Sequence, residues 1–509
     1  GAHRAAVDHL RDALDYADGV ETGRKAELRE RLGYELQLTG EINAAIEEFG
    51  LALLLRQELE DGLKVGDDLR WLSRLHYNAG ARLRGEELGR RAIDVLAPIG
   101  QTFELAMAYA NLALIRALRD DSWGAIELAN NTKAIAEELG HTELLADAHS
   151  TLAIANQWLD LPSSRNHFES ALKLASACHR PELVARIHMN AGGVEMNARS
   201  NKAARRWLEL GVQYCDERDL STWAIYMKGL LSDLLVREGK CIEGEALGHE
   251  ALEMATTTVQ RFPCSAALAR LLIRRGDTAG ALLENLQFDA EPQRVMVYAP
   301  ILGERAWLLN LEIDTSISVL NQAGAVARQI GNVWAAGEIE YWQAKLEHRQ
   351  PIASEHVAAP FAHLFNGDWA NAARIWSDLE APYERALALL EGDEPACDEA
   401  LRVLDRLGAS AAGARARRDL RVKGRRGLPR GPRQATRSNV AGLTRREMDV
   451  LLLLEEGISN AEIAQRLSTA QKTVDHHVSA ILSKLGSSTR LEAVAKARRL
   501  NLFGDQSSS

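Results

Sequence analysis

Apolar residues return at helical spacing from residue 1 to about 409, and small or polar breakers interrupt them near Gly40, Gly80, Asp120, Asp160, Ser200, Gly239 and Gly276. The interval is about 40 residues, the length of one helix, a tight turn and a second helix. Stretches 34–55, 115–139 and 196–215 show the unit, with Ile42, Ile46 and Phe49, or Ile126, Ala129 and Ala134 beside Lys133, at helical spacing. One hairpin cannot cover its own apolar face, so neighbours must stack. The pattern predicts an all-α fold whose main part is a solenoid of helical hairpins. It blurs after about 290, returns at 365–379, and stays helical to Leu407.

A second pattern begins at 443. Thr444 is followed at three residues by Glu447, Ser459 by Glu462, and Thr489 by Glu492. Each pair is a capping box, in which a hydroxyl and a carboxylate satisfy orphan backbone N–H groups at a helix start. Gly457 and Gly486 stand where helices should end. The spacing predicts four short helices, near 445–456, 460–467, 471–485 and 490–500. The expected core takes Met448, Leu451 and Leu452, then Ile463, Ala464 and Leu467, then Val474, Val478, Ile481, Leu482 and Leu485, and last Leu491, Val494 and Ala495. Only Ser468 to Gln471 separate the second helix from the third, which is helix-turn-helix spacing. Lys472, Asp475, His476, Ser479 and Ser483 fall on the third helix's outward face, with the short polar chemistry that a major-groove helix needs.

Charge sharpens the division. Residues 415–437 hold ten Arg or Lys and one Asp, whereas residues 1–414 hold 42 basic and 62 acidic side chains. An acidic body joined to a basic end suggests nucleic-acid contact at that end. Residues 410–440, rich in Gly, Pro and Arg, read as a basic flexible linker, either a plain spacer or an arm whose arginines also touch phosphates. The chain thus divides into a solenoid over 1–409, the linker over 410–440, a small domain over 441–503 and a tail over 504–509.

The five cysteines lie outside metal-ligand spacing, which favours a reducing, cytoplasmic setting and neither zinc nor disulfides. No apolar run approaches the ~18 residues of a spanning helix, and no membrane association is expected. The start is charged and periodic, not a signal peptide, and reads as the interior of a longer gene product. Asp475, His476 and His477 are ligand types, but adjacent helical positions diverge by about 100°, so no metal is expected there. No phosphate-cradling G-x-x-x-x-G-K-[ST] loop occurs, and no catalytic motif or cofactor is expected. Tryptophans such as Trp123, Trp207 and Trp369 are expected in the core.

The run Leu443-Thr444-x-Arg446-Glu447-x-x-Val450-Leu451, then Asn460-x-Glu462-Ile463-Ala464, Lys472-Thr473-Val474-x-x-His477 and Lys484-Leu485 resembles the C-terminal DNA-binding module of LuxR-type transcription regulators. The repeat region is similar to tetratricopeptide repeats, with a longer period. Together they resemble the large regulators of that class, which carry an ATPase module upstream. The resemblance implies base contacts from Asp475, His476 and Ser479. It implies phosphate contacts or helix ordering by Lys472, Thr473, His477 and Lys484, and backbone contacts from Asn460 and Arg490. Three positions depart from the pattern: Thr469, Ala470 where a Ser cap is usual, and Ser487. Thr469 is expected to cap the third helix instead. The implied partners are double-stranded DNA, a second copy of the chain on DNA, and a protein or small-molecule effector on the solenoid. The alternative is a tetratricopeptide-like interaction scaffold with no DNA-binding role.

Overall fold

The computed structural model describes residues 2–17, 19–286, 292–352, 356–429, 443–499 and 502–503. Among them are 27 α-helices, one short 3-10 helix and no strand, so the fold is all-α. No described helix is long and apolar enough to cross a membrane. The chain separates into two compact units, residues 1–194 with 289–293, and residues 195–288 with 294–509.

In the first unit each helix up to Leu161–Ala177 packs antiparallel on the one before it, and the inner helices Gly62–Asn78, Phe103–Leu118 and Thr142–Ala155 also pack on one another. The breakers do what their spacing predicts. Gly40, Gly80 and Gly140 end helices in the left-handed region, and Glu60, Asp120 and His179 adopt the same conformation without being glycine. Left-handed residues thus recur at 40, 60, 80, 120, 140 and 179, while Gly100 (φ 127°, ψ −171°) and Asp160 (φ −151°) turn the chain in other conformations. Phe49, Leu69, Leu75, Leu96 and Leu112 fill the core. Helix Ser122–Glu138 buries Ala125, Leu128, Ala129, Thr132, Ile135 and Ala136. Ala134, expected inward, is exposed, because the buried stripe runs through its neighbours on either side.

Small residues within hairpins have a specific reason. Ser73 Oγ donates to Gly85 O at 2.7 Å, and Ser232 Oγ donates to Gly244 O at 2.6 Å in the other unit. A Cβ on Gly85 would stand 2.9 Å from Ser73 O, and one on Gly244 3.0 Å from Ser232 O. The same serine–glycine clasp, twelve residues apart, thus closes hairpins in both units and requires that the second helix lack a side chain there. Trp123 departs from expectation. It is 74% exposed, since it sits in the first turn of its helix, on the side away from the buried stripe.

The second unit contains the later helices, which are shorter after position 346. The five-residue helix Gly280–Glu284 and the short helices after 346 together break the 40-residue period. Helix Ser410–Val422 buries Ala412, Gly413, Ala416, Arg417 and Leu420 and packs back on helix Thr258–Arg275. Ser410 Oγ donates to Arg275 O at 2.8 Å, and Arg415 donates to Trp307 O at 3.1 Å. Residues 410–422 are therefore a core helix, which corrects the expectation of a linker beginning at 410. The arginines misled: several are interior ion-pair partners, such as Arg417 with Asp405 and Arg425 with Asp398. Of the rest of the expected linker, 423–429 follow this helix in irregular conformation, and 430–440, like the tail 504–509, lie outside the described residues.

This unit also buries an ionic network. Arg199 meets Glu338 at 3.0 Å, Arg270 bridges Glu338 and Asp233 at 3.5 Å each, Arg237 holds Asp233 at 2.7 Å, and Arg274 holds Glu304 at 2.9 Å. Burial alone would raise the Asp233 and Glu338 carboxyls. The surrounding guanidinium groups outweigh it and hold both below the ordinary carboxylate range.

Candidate nucleic-acid interface

Four helices form the C-terminal domain: Arg445–Glu455, Asn460–Arg466, Gln471–Lys484 and Arg490–Arg499. Thr444 and Glu447 close a full capping box, as do Ser459 and Glu462. At the fourth helix Thr489 Oγ1 accepts from Glu492 N at 3.2 Å, while Glu492 reaches back one residue further, to Ser488 N at 2.7 Å. The core joins Leu443, Val450, Leu451, Leu454, Ile463, Ala464, Val474, Val478, Ile481 and Leu485 with Ala493 and Ala497. The fourth helix differs from the expected register. Ala493 and Ala497 face inward with Val494 against them, while Ala495 is exposed and Leu491 is 84% exposed. Two alanines one turn apart let this helix approach closely, a fit that a leucine-seeking reading passes over.

The turn between the second and third helices is tight. Ser468 takes φ 47°, and Arg446 from the first helix donates to Leu467 O at 2.5 Å, satisfying an orphan carbonyl where the second helix ends. This role of Arg446 was not foreseen; its long side chain at the second position of the helix was the available signal. The third helix starts at Gln471 with Ala470 as its cap residue and no side-chain cap bond. Thr469 does not take over that role.

The nine candidate residues fall into three settings. Asn460, Asp475 and Arg490 form one chain across three helices: Arg490 donates to Asn460 Oδ1 at 2.6 Å, and Asn460 Nδ2 donates to Asp475 Oδ1 at 2.6 Å. Helix three is thereby tied at its outer face to the starts of helices two and four. Lys472, Thr473, His476 and Ser479 are exposed, and His477 is half-buried. Ser479 Oγ donates back to Asp475 O at 2.9 Å. Lys484 stands apart. Its ammonium meets Glu447 Oε2 at 2.6 Å, pinning the end of helix three to the start of helix one. Burial pushes the Glu447 carboxyl up, but the hydrogen bonds from Lys484 and from Thr444 N–H outweigh it and keep the group below the usual range. No group of three or more potential metal ligands occurs among the described residues.

A tri-helical core beneath an exposed polar helix, entered through a four-residue turn, is helix-turn-helix geometry. Residues 441–497 match the family of bacterial regulatory proteins, luxR family. They are a luxR-family helix-turn-helix domain. The response regulator protein VraR of Staphylococcus aureus is 52% identical over 61 residues, 12% of this chain and 29% of that protein, and VraR of Staphylococcus epidermidis matches to the same extent. The chain therefore spans under a third of the length of the curated relatives it matches. Solved structures to which the chain shows similarity include a Rap protein complexed with competence and sporulation factor. It is 12% identical, has a TM-score of 0.40, and covers 74% of this chain and 99% of its own. Yeast Tom70 covers 79% of this chain and 98% of its own, at 13% identity and a TM-score of 0.25.

Proposed function

We propose that this chain is a sequence-specific, double-stranded-DNA-binding transcription regulator of bacterial type, acting in the cytoplasm, with its helical repeats as the signal-receiving or partner-binding region. The observation that carries the reading is the outer face of helix Gln471–Lys484 in a luxR-family domain. Lys472, Thr473, His476 and Ser479 stand exposed on it, and the Arg490–Asn460–Asp475 chain holds its orientation. Asp475, His476 and Ser479 share this outer face and are suited to base edges. Lys472 and Thr473 at the helix start, and Arg490 beside it, are suited to phosphates. His477, half-buried, orders the helix. Lys484 contributes mainly through Glu447 and only secondarily as a phosphate contact. One short helix buries too little surface for tight binding, so two copies on two half-sites fit the reading. An exposed Leu491 on helix four is compatible with such pairing.

The test is fluorescence anisotropy of the full chain on a mixed-sequence duplex between 50 and 200 mM salt. DNA binding through phosphates predicts a steep, linear loss of log affinity with log salt, and a shallower slope for Lys472→Ala. Absent or salt-indifferent binding would favour the interaction-scaffold alternative.

A further inference from the structure

The first unit carries a cleft of about 560 Å³ near its beginning, lined by His9, Glu30, Tyr34, Glu35, Asp68 and Trp71 among others. That volume suits a small organic molecule. Two of its walls are aromatic and meet at a corner: the Tyr34 ring stands edge-on to Trp71, centroids 5.6 Å apart and planes at 80°. Phe49 stacks on Trp71 at 5.4 Å and fixes its plane, and Gly33 permits this, since a Cβ there would come within 2.6 Å of the Phe49 ring. Trp71 is half-buried and Tyr34 is 44% exposed, so the corner is open. Arg70 already lies over the Trp71 ring at 4.4 Å and takes up that part of the wall, so the Tyr34 ring carries the open aromatic surface.

The charges around the cleft are matched except at one place. Glu30 accepts from Arg56 at 2.7 Å with Lys64 at 3.9 Å, Asp67 accepts from Arg70 at 2.7 Å, and Glu35 meets His3 at 2.7 Å. Arg31, the one arginine lining the cleft, is paired with Glu27 at 2.7 Å. Asp68 is 1% exposed, makes no ion pair among the described residues, and its Oδ2 has no hydrogen-bond partner. A buried carboxyl with an unpartnered oxygen beside an open aromatic corner can exchange its proton for a cation.

We infer that this cleft binds an organic ammonium, its charged head directed toward Asp68 and its apolar body against Tyr34 and Trp71. The shared chemistry is an alkylammonium group, from a free small molecule or from a lysine side chain. The site rests on the cleft alone and stands whether or not its occupancy governs DNA binding. Binding also has a pH signature. Burial, then Glu30 and Asp67, push the Asp68 carboxyl up to about 8, against the opposing pull of Arg56 and Lys64. A permanent cation therefore has to displace a proton below that pH, and its affinity rises as pH climbs from 6 to 9. His9 lines the same cleft from the first helix.

The experiment is isothermal titration calorimetry of the full chain with choline, with its neutral isostere 3,3-dimethylbutan-1-ol, and with the peptide acetyl-Gly-Lys-Gly-amide, at pH 6, 7.5 and 9. The inference predicts that choline or the peptide binds at least tenfold tighter than the isostere. Whichever of the two binds names the source of the ammonium. Choline affinity should rise several-fold with pH in the parent and stay flat in Asp68→Asn. Tyr34→Ala, at an exposed ring whose loss spares the fold, should weaken the ammonium at least fivefold. No heat from either cation up to 10 mM, isostere binding as tight as the tighter of the two cations, or affinity for that cation unchanged in Tyr34→Ala overturns it.

Discussion

The weakest helix start in the luxR-family domain is that of its third helix, and one atom should repair it. Helices one and two begin with hydroxyl caps at φ −68°, ψ 160° and φ −73°, ψ 159°, and each hydroxyl accepts from the N–H three residues on, at 3.2 and 3.3 Å. Ala470 takes nearly the same backbone, φ −77°, ψ 143°, but has no acceptor to offer. Its carbonyl takes Thr473 N at 2.9 Å and Val474 N at 3.2 Å, so the N–H groups of Gln471 and Lys472 have no intrahelical partner. The Ala470 side chain is exposed, and an added oxygen meets no obstacle. Replacing a capless residue by serine is worth about 1 kcal/mol. That is roughly a fivefold shift in the equilibrium between the frayed and formed first turn. Ala470→Ser should therefore slow amide exchange across 471–476 about fivefold in the DNA-free full chain, read by mass spectrometry, and tighten DNA binding by up to the same factor. Ala470→Val, without an acceptor, should do neither. Exchange within twofold of the parent in Ala470→Ser, with the fold intact by circular dichroism, would refute the reasoning.

Other consequences are equally direct. Glu338→Ala leaves Arg199 and Arg270 without their shared carboxylate in the interior, so calorimetry should record a loss of about 3–5 kcal/mol. Lys484→Ala should lower the thermal stability of the DNA-binding domain as well as DNA affinity, because Glu447 loses its ion pair; Lys472→Ala should lower affinity alone, which paired melting and anisotropy measurements separate. Asp68, whose carboxyl is held up to about 8 in the folded chain, favours the folded state at low pH and forfeits that stabilisation as pH rises toward 8. The unfolded chain there carries an ionised carboxylate that folding must reprotonate or bury. Melting of the parent should fall by more than that of Asp68→Asn between pH 5 and 9, and parallel profiles would contradict the shift.

Much of this fold was legible because helical hairpins announce their ends. Gly40, Gly80, Gly239 and Gly276 are left-handed as well as glycine, and the capping boxes at Thr444 and Ser459 are local chemistry. What escaped was tertiary. Helix Ser410–Val422 looked like a linker because its arginines pair with acids distant in sequence, as Arg417 does with Asp405. The fourth helix presents alanine, not leucine, to its core, so counting large apolar residues misplaces its face. The outward face of helix three follows from periodicity alone. That Asn460 and Arg490 join Asp475 does not, since 15 and 30 residues separate Asn460 from its two partners.

The central claim is that helix Gln471–Lys484 reads DNA sequence, and selection of bound duplexes from a random library by the full chain tests it most directly. The account predicts an enriched site made of two inverted half-sites spaced by about one helical turn or a multiple of it. It further predicts a changed base preference within each half-site for His476→Ala. Recovery of unenriched DNA by the parent chain, or an identical preferred site for His476→Ala and Ser479→Ala, would contradict it.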